Sequence, residues 1–238
     1  MVKIMREKFK TYEGVFDEFT LRKLFKLSTQ GHFDELKSPV ALGKESNVYS
    51  AVKSDKTKVA VKIYRLETCD FNKMYNYIRT DPRFVQLKKQ KRKVIFEWAK
   101  REFQNLMRAR EAGIKVPTPL TFSFNILVME FIGGSDPAPK LKDLPPKNPR
   151  KFLEIILNYY SKLYHKARLV HGDLSEFNIL NHNEKPVIID FSQSTLLNDP
   201  HAKEYFKRDM KNLSRFFSKQ GLEVSEEDLI KRVLSKDL

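Results

Sequence analysis

The sequence contains one cysteine, Cys69, and no long uncharged stretch among its 238 residues. A single cysteine excludes an intramolecular disulfide and a zinc site built from several cysteines. The longest stretch without Asp, Glu, Lys or Arg, residues 116–129, is 14 residues long, whereas a membrane-spanning helix needs about 20 apolar residues. The segment from Met1 to Tyr12 is charged throughout and lacks the apolar core of a signal peptide. These absences predict a soluble, cytoplasmic protein with no membrane partner.

Acidic residues are outnumbered by basic ones. The 45 Lys and Arg residues against 30 Asp and Glu residues give a formal net charge of +15. Such an excess predicts anionic partners, which could be nucleotide, RNA or acidic protein. Hydrophobic residues make up 41% of the chain, which is enough for a core and excludes a disordered chain.

The first half of the chain is predicted to be mainly β-structure behind a helical extension. Residues 1–37 carry an apolar stripe that ends near Gly31, and β-branched, alternating runs then predict strands over 40–42, 48–52 and 59–64, with a turn at 54–57. Residues 66–93 show no clear period and are predicted to form a long mobile insertion.

The second half is predicted to be mainly helical. The pattern predicts a helix over 94–112, a strand pair over 122–131, a helix over 150–167, short strands at 179–180 and 187–189, and helices to the end. Strands first and helices later indicate the α+β class. We expect a division near residue 132.

The segment from His171 to Asn178 and the following Ile189-Asp190-Phe191 carry the strongest chemical signal. Phosphoryl transfer from a nucleoside triphosphate needs one carboxylate that orients the acceptor, and an amide oxygen and a second carboxylate that hold Mg²⁺. Asp173, Asn178 and Asp190 match these roles in order. Aspartates after glycine or at strand ends also form ordinary turns, but the whole spacing favours the catalytic interpretation.

Lys62 and Glu102 are predicted to form an ion pair. Lys62 follows Val59-Ala60-Val61 in a strand of the buried type, where an unpaired ammonium group is costly. At about 100° per residue, Glu102 projects from the same side of its helix as Ile95 and Leu106. This carboxylate points into a core and needs a cation. The pair would hold Lys62 against the α- and β-phosphates; the alternative is an edge lysine in solvent.

Two further segments are candidates for nucleotide contacts. The segment Gly43-Lys44-Glu45-Ser46-Asn47 could place backbone N–H groups on phosphates, but a plain hairpin turn fits it equally well. The segment Met129-Glu130-Phe131-Ile132 ends a strand before Gly133 and could meet the adenine with its backbone; a plain strand end is the alternative.

With these motifs, the chain resembles the RIO family of atypical serine/threonine protein kinases, most closely its type-one branch. The matching pieces include the segments from Gly43 to Tyr49, Val61 to Tyr64, Met129 to Gly133, His171 to Asn178 and Ile189 to Gln193. The resemblance implies one domain over 1–238 with a bilobal protein-kinase-like fold. The small β-rich N-lobe would cover 1–132 and the helical C-lobe 133–238.

The resemblance also implies activity, cofactors and site residues. It implies ATP with Mg²⁺ or Mn²⁺, serine autophosphorylation or ATP hydrolysis, and work on pre-ribosomal small subunits, with rRNA and ribosomal proteins as partners. The implied site consists of catalytic Asp173 and Asp190, metal-binding Asn178 and Asp190, and nucleotide-binding Lys44, Ser46, Lys62, Glu102, Glu130 and Ile132.

Departures from ordinary protein kinases indicate a truncated C-lobe. Only 48 residues follow Asp190, and no Ala-Pro-Glu occurs among them, so an activation segment with peptide-docking helices does not fit. Ser175 stands where ordinary kinases often have a lysine, and Ser192 replaces the glycine after Asp-Phe. With few ordered acceptors, Asp190 itself is expected to take the phosphoryl group transiently.

Several residues are left with two interpretations. His171 is expected to form hydrogen bonds with backbone groups and so hold the catalytic loop, the segment from His171 to Asn178. Asp209 either ties a helix to that loop or is an ordinary surface residue. The basic run Lys88 to Lys93 contacts RNA or ATP phosphates, or is a solvated face.

Two other functions stay open: another small kinase of this fold, acting in tRNA modification or on small molecules, and a non-catalytic RNA-binding assembly factor.

Overall fold

The computed structural model describes residues 16–84 and 86–235. The expectations for Met1 to Tyr12 and for the first 15 residues of the extension lie outside these residues. Contacts divide the described chain into two units: a first unit of residues 16–79, 86–103 and 119–131, and a second unit of residues 80–84, 104–118 and 132–235. The assignment of 1–238 to one domain with lobes 1–132 and 133–238 stays a prediction.

The first unit is built on an antiparallel sheet. Its elements are helix α1 (Glu18–Thr29) and strands β1 (Glu35–Leu42), β2 (Ser46–Val52), β3 (Lys58–Tyr64), β4 (Pro119–Ser123) and β5 (Ile126–Glu130), in the sheet order β1-β2-β3-β5-β4. All neighbouring strands pair antiparallel. The strands expected at 40–42, 48–52, 59–64 and 122–131 are therefore present, and the first begins five residues earlier than expected.

Helix α1 supplies the apolar cover of this sheet. Leu21, Leu24 and Leu27 lie on one side of the helix and are buried in a core that also contains Tyr49 and Val61. Asp17 is the N-cap before this helix, and its carboxylate accepts a hydrogen bond from the Thr20 N–H at 3.0 Å. The helix ends before Gly31, the residue expected to stop it, which has a φ of 80°.

The expected mobile insertion contains a helix, so that prediction was wrong for part of residues 66–93. Helix α2 (Phe71–Ile78) and a 3₁₀ turn (Pro82–Phe84) occupy this stretch. Asp70 caps α2 by accepting from the Lys73 N–H at 3.0 Å. Met74 and Ile78, one turn apart, are fully buried. A helix of eight residues offers only two such positions, which is too few for a recognisable period.

Helix α3 (Lys91–Glu111) begins three residues before the expected start and ends near Gly113, where φ is 81°. Its residues up to Phe103 belong to the first unit and the following ones to the second. The start was predicted three residues too late because the sequence carries no N-cap signal there. The helix opens with three basic residues in a row, and cations are unfavourable near the positive end of a helix dipole.

The second unit is mainly helical. Its remaining elements are α4 (Pro149–His165), β6 (Leu169–Val170), β7 (Ile179–His182), β8 (Lys185–Ile188), β9 (Thr195–Leu196), α5 (Ala202–Lys219) and α6 (Glu226–Leu234). A sheet unit followed by a helical one confirms the α+β class. The pairing of β6 with β9 was not expected. None of the helices in the two described stretches has the length and apolar character that crossing a bilayer demands.

Candidate active site

Lys62 and Glu102 form the expected ion pair inside the first unit. The Lys62 Nζ atom lies 2.8 Å from Glu102 Oε1, and the two residues are 5% and 1% exposed. The Tyr64 hydroxyl donates to the other oxygen of the same carboxylate. Two donors thus fix this carboxylate away from water, and the ion pair in turn fixes the lysine on β3.

The β1–β2 connection is a tight hairpin turn. The Gly43 N–H donates to the Ser46 carbonyl at 3.0 Å, and a Cβ atom at Gly43 would lie 3.0 Å from that oxygen, so any other residue there would press on the Ser46 carbonyl. Lys44 is exposed in the turn, and Ser46 is half-buried at the start of β2. The hairpin alternative is therefore correct as geometry, and phosphate contacts by Lys44 and Ser46 stay a prediction.

The proposed adenine segment lies where the chain leaves the sheet. Glu130 is the last residue of β5 and pairs with Val59. Ile132 is buried in the second unit beside Ala138 and Val187, and its carbonyl accepts the Ala138 N–H at 2.9 Å. Gly133 follows with a φ of 150°, and a Cβ atom there would collide with the backbone of residues 136–138. The adenine contacts of Glu130 and Ile132 stay a prediction.

The two-stranded sheet of β7 and β8 has Asn178 and Asp190 at the same end. Ile179 pairs with Ile188, so Asn178 lies just before β7 and Asp190 just after β8, and the Ile189 N–H donates to the Asn178 carbonyl at 3.0 Å. The Asn178 amide nitrogen donates to the Asp173 backbone oxygen at 2.8 Å and to Asp173 Oδ2 at 3.1 Å. Its amide oxygen is consequently directed elsewhere.

Asp190 has an unusual backbone conformation. Its φ is 61°, in the left-handed region that costs most residues energy but that Asp tolerates better than most. The Ser192 hydroxyl donates to Asp190 Oδ1 at 2.7 Å. This conformation ends the regular strand and re-aims the carboxylate at the end of β8, which is typical of functional sites.

The donor set at this end fits Mg²⁺. Mg²⁺ prefers one or two protein oxygens together with phosphate and water, and the chain offers the Asn178 amide oxygen and the Asp190 carboxylate. Among residues 16–84 and 86–235, no cluster of three or more His, Cys, Asp or Glu residues could hold a metal alone. A metal held here would therefore depend on further ligands, which the phosphates of a nucleotide can supply.

His171 holds the catalytic loop through backbone contacts, as expected. It is fully buried, its Nε2 lies 3.0 Å from the Ile189 carbonyl, and its Nδ1 lies 3.3 Å from the Asp173 N–H. A carbonyl can only accept and a backbone N–H can only donate, so these partners assign the neutral ring with the proton on Nε2. The ring therefore links the Asp173 and Asp190 segments.

Asp209 ties helix α5 to the catalytic loop, which decides between its two interpretations. It is fully buried and accepts from the Gly172 N–H at 2.8 Å, the Leu174 N–H at 2.7 Å and the Tyr160 hydroxyl at 2.6 Å. Burial raises the pKa of Asp209 to about 7, and the three hydrogen bonds act in the opposite direction. From the same helix, Arg208 donates to the Gly172 carbonyl and Asn212 to the Leu174 carbonyl.

Asn105 and Arg83 are positioning residues that the sequence did not indicate. The Asn105 amide nitrogen donates to the carbonyls of Phe191 at 3.0 Å and Ser194 at 2.8 Å, just beyond Asp190. Its amide oxygen accepts from Arg83 Nη1 at 2.9 Å, and Arg83 also pairs with the buried Asp81. The only hint in the sequence was that Asn105, a polar residue, lies on a side of helix α3 that the structure shows to be buried.

The side chains of the basic run, Lys88 to Lys93, differ in their contacts. Lys91, Arg92 and Lys93 are exposed in the first turn of α3, and Lys91 Nζ donates to the Glu67 carbonyl at 2.6 Å. Lys89 Nζ lies 5.5 Å from the Tyr75 ring centroid. Contact with RNA or ATP therefore stays a prediction.

Comparison with known proteins decides the family. A sequence model of the RIO domain matches residues 47–230. The RIO-type serine/threonine-protein kinase Rio1 of Methanocaldococcus jannaschii is 42% identical over 98% of this chain and 80% of its own length. The Haloferax volcanii protein of the same name is 40% identical over 94% and 77%. The chain belongs to the RIO family. The human serine/threonine-protein kinase RIO1 is 38% identical, but this chain covers only 39% of it.

Solved structures of RIO proteins confirm the kinase-like fold. The Chaetomium thermophilum Rio2 kinase matches with a TM-score of 0.68 at 22% identity, covering 90% of this chain and 67% of that one. A second structure of that protein, described as an ADP/Mg²⁺-phosphoaspartate complex, matches with a TM-score of 0.64 at 23% identity over 90% and 66%. With relatives named as Rio1 kinases over most of its length, the chain is an atypical serine/threonine protein kinase of the RIO type.

Proposed function

We propose that this RIO kinase binds ATP with Mg²⁺, phosphorylates itself on serine and hydrolyses ATP as a switch in the maturation of the small ribosomal subunit. The observation that carries the proposal is the Asp173, Asn178 and Asp190 constellation on one hydrogen-bonded loop system. Asp173 orients the acceptor or the hydrolytic water, and Asn178 and Asp190 hold the metal. Lys62, fixed by Glu102, holds the α- and β-phosphates, with Lys44, Ser46, Glu130 and Ile132 completing the nucleotide contacts.

Asp190 is proposed to carry phosphate transiently. A carboxylate oxygen of Asp190 attacks the γ-phosphorus, the bond to the bridging oxygen breaks, and ADP leaves with that electron pair. Water then attacks the phosphorus of the acyl phosphate, which releases inorganic phosphate and restores the carboxylate. Such an intermediate divides one difficult step into two easier ones. A Rio2 kinase of this fold is described with a phosphoaspartate, which supports the same route here.

The test uses purified protein, Mg²⁺ and ATP labelled on the γ-phosphate. We expect protein-bound label that hydroxylamine releases, and Asp190→Asn should abolish it. Asp173→Asn should block turnover and leave Mg²⁺–ATP binding largely intact, because Asp173 is not proposed as a main metal ligand. If all bound phosphate is acid-stable and maps to serine, the aspartyl route is wrong and a plain serine kinase remains. If neither variant lowers turnover, the site assignment itself is wrong.

The ribosomal part of the proposal is supported by the family and by the +15 charge. We place this work in the cytoplasm, with rRNA and ribosomal proteins of the small-subunit precursor as partners. Cosedimentation with purified small-subunit precursors, with and without ATP, tests it. Binding that is nucleotide-dependent and weakened in Asp190→Asn supports a switch. Equal affinity for mature and precursor subunits would contradict a role in maturation.

A further inference from the structure

Phe124 combines a strained backbone with an exposed ring. It is the first residue of the two-residue turn between β4 and β5, has a φ of 56° and is 42% exposed. A positive φ is uncommon outside glycine, and for a bulky side chain it is an outlier. Strain of this kind persists only where the surrounding structure imposes it.

Asn125 imposes the conformation. It is fully buried, and its amide nitrogen donates to the Tyr64 carbonyl at 2.9 Å and to the Thr20 hydroxyl at 3.0 Å. Its own carbonyl accepts the Tyr64 N–H at 2.9 Å. These three bonds hold Asn125, the second residue of the turn, and none of them involves the side chain of Phe124. Glycine would satisfy the backbone at position 124 without strain, so the aromatic ring needs a separate explanation.

The ring belongs to an aromatic–basic surface on the first unit, which we define as Phe19, Lys23, Arg92, Phe96 and Phe124. The Phe124 centroid lies 5.2 Å from that of Phe19 and 5.0 Å from that of Phe96. Lys23 Nζ lies 4.0 Å from the Phe124 centroid, and the Arg92 guanidinium carbon lies 5.6 Å from the Phe19 centroid. Aromatic faces therefore alternate with cations.

The charge around this surface is one-sided. The two acidic side chains nearest to it in sequence on α1 and α3 are already paired, Glu18 with Arg22 at 2.5 Å and Glu97 with Lys100 at 3.2 Å. Five further cations along the same stretches pair with neither of these acids and are exposed or half-exposed: Lys23, Lys26, Lys91, Arg92 and Lys93. Such a surface complements a polyanion. An apolar protein partner would instead have to desolvate Lys23 and Arg92, which is costly.

We propose that the aromatic–basic surface binds single-stranded nucleic acid, with a base stacked on Phe124 and the neighbouring phosphates held by Lys23 and Arg92. Stacking on an aromatic side chain beside a positive track is how proteins bind single strands without reading their sequence. The contact between Lys23 and the exposed ring is weak, so a base can replace it while the ammonium moves to a phosphate. Apart from Arg92, which lies in the basic run Lys88 to Lys93, this site uses none of the residues considered as ATP contacts, and it needs no phosphoryl transfer.

The test is fluorescence anisotropy of the whole purified protein with labelled oligouridylate and oligodeoxythymidylate of about ten nucleotides. Phe124→Gly, which suits the backbone, should weaken binding of both by about tenfold or more. Phe124→Trp keeps a ring and should restore binding to within about twofold, an outcome that a purely structural role for Phe124 does not give. Lys23→Gln with Arg92→Gln should lower the salt slope by about 1.4, at about 0.7 per phosphate contact.

Leu234→Ala is the matched control, because Leu234 is also 42% exposed but lies on α6; its affinity should equal that of the wild type. Wild-type affinity and salt slope in both Phe124→Gly and the double glutamine variant would overturn the proposal, as would a wild-type protein that binds neither oligonucleotide. Displacement of the oligonucleotide by polyglutamate as effectively as by unlabelled oligouridylate would assign the surface to an acidic protein instead. If Phe124→Gly does not fold, the double glutamine variant decides: a wild-type affinity and salt slope in that variant overturn the proposal.

Discussion

Replacing Lys62 by Met should make the protein much easier to unfold. Lys62 and Glu102 are 5% and 1% exposed, with 2.8 Å between their charged atoms. Removing one partner of a buried ion pair costs about 3–5 kcal/mol, because the other charge loses its compensation in a dry environment. A whole domain is stable by only about 5–15 kcal/mol, so this single change should remove a large part of the stability.

A second substitution should restore part of that loss. In Lys62→Met with Glu102→Gln, position 102 carries no charge, and the glutamine oxygen can still accept the Tyr64 hydroxyl that contacts Glu102. We therefore expect the double variant to be more stable than either single variant. The coupling free energy between the two positions should then exceed the larger of the two single costs, so it should be at least about 3 kcal/mol, at the upper end for residues in contact.

Urea unfolding of the wild type and the three variants measures these differences. Lys100→Met is the control, because Lys100 pairs with Glu97 on the same helix while the side chains are 41% and 32% exposed; its cost should be below about 1 kcal/mol. Mg²⁺–ATP binding should stay weak in the double variant despite its recovered stability. An unfolding midpoint of Lys62→Met equal to that of the wild type, or simple additivity in the double variant, would refute the reasoning.

Three further changes probe the second unit. Asp209 has a pKa of about 7 in the folded protein against an ordinary value of 3.8, so its contribution to the free energy of unfolding should fall as pH rises from about 4 to 7, by at most about 4 kcal/mol. The melting temperature of Asp209→Asn should therefore fall less between pH 5 and pH 8 than that of the wild type. A steeper fall in the variant would contradict this. Arg83→Ala should cost about 3 kcal/mol, since the buried Asp81 loses its ion pair, and should speed hydrogen exchange at Ser194; the exposed Arg79→Ala should do neither. Gly133→Ala should lower the melting temperature clearly, because its Cβ would meet backbone, whereas Gly134→Ala has open space and should be near neutral.

Local patterns predicted the parts of the molecule that local forces determine. The alternation of apolar and polar residues predicted the strands. The glycines at 31 and 113 indicated helix ends because both adopt positive φ. The side of helix α3 on which Glu102 lies followed from its spacing to apolar neighbours, and its partner followed from the cost of burying a lone charge. The motif from His171 to Asn178 with Asp190 was visible because its residues are close in sequence.

Features that depend on distant segments were missed or left open. Arg83 and Asn105 are 22 residues apart, and the carbonyls that Asn105 holds follow 86 and 89 residues later. No period or spacing connects such positions. Asp209 looked like a surface residue as readily as a buried one, because a single polar residue on a helix does not reveal what covers it. The strained φ of Phe124 arises from contacts of Asn125 with two other elements.

Three side chains of helix α5 hold backbone groups of the segment from Gly172 to Leu174. Arg208, Asp209 and Asn212 bind the N–H and carbonyl groups of Gly172 and Leu174. These bonds do not require a particular side chain at position 173, whereas the bonds of His171 and Asn178 do depend on their own side chains. A substitution at position 173 would therefore leave the bonds from α5 in place. Changes at Asp209 or Asn212 would instead remove these bonds without altering any residue of the proposed site.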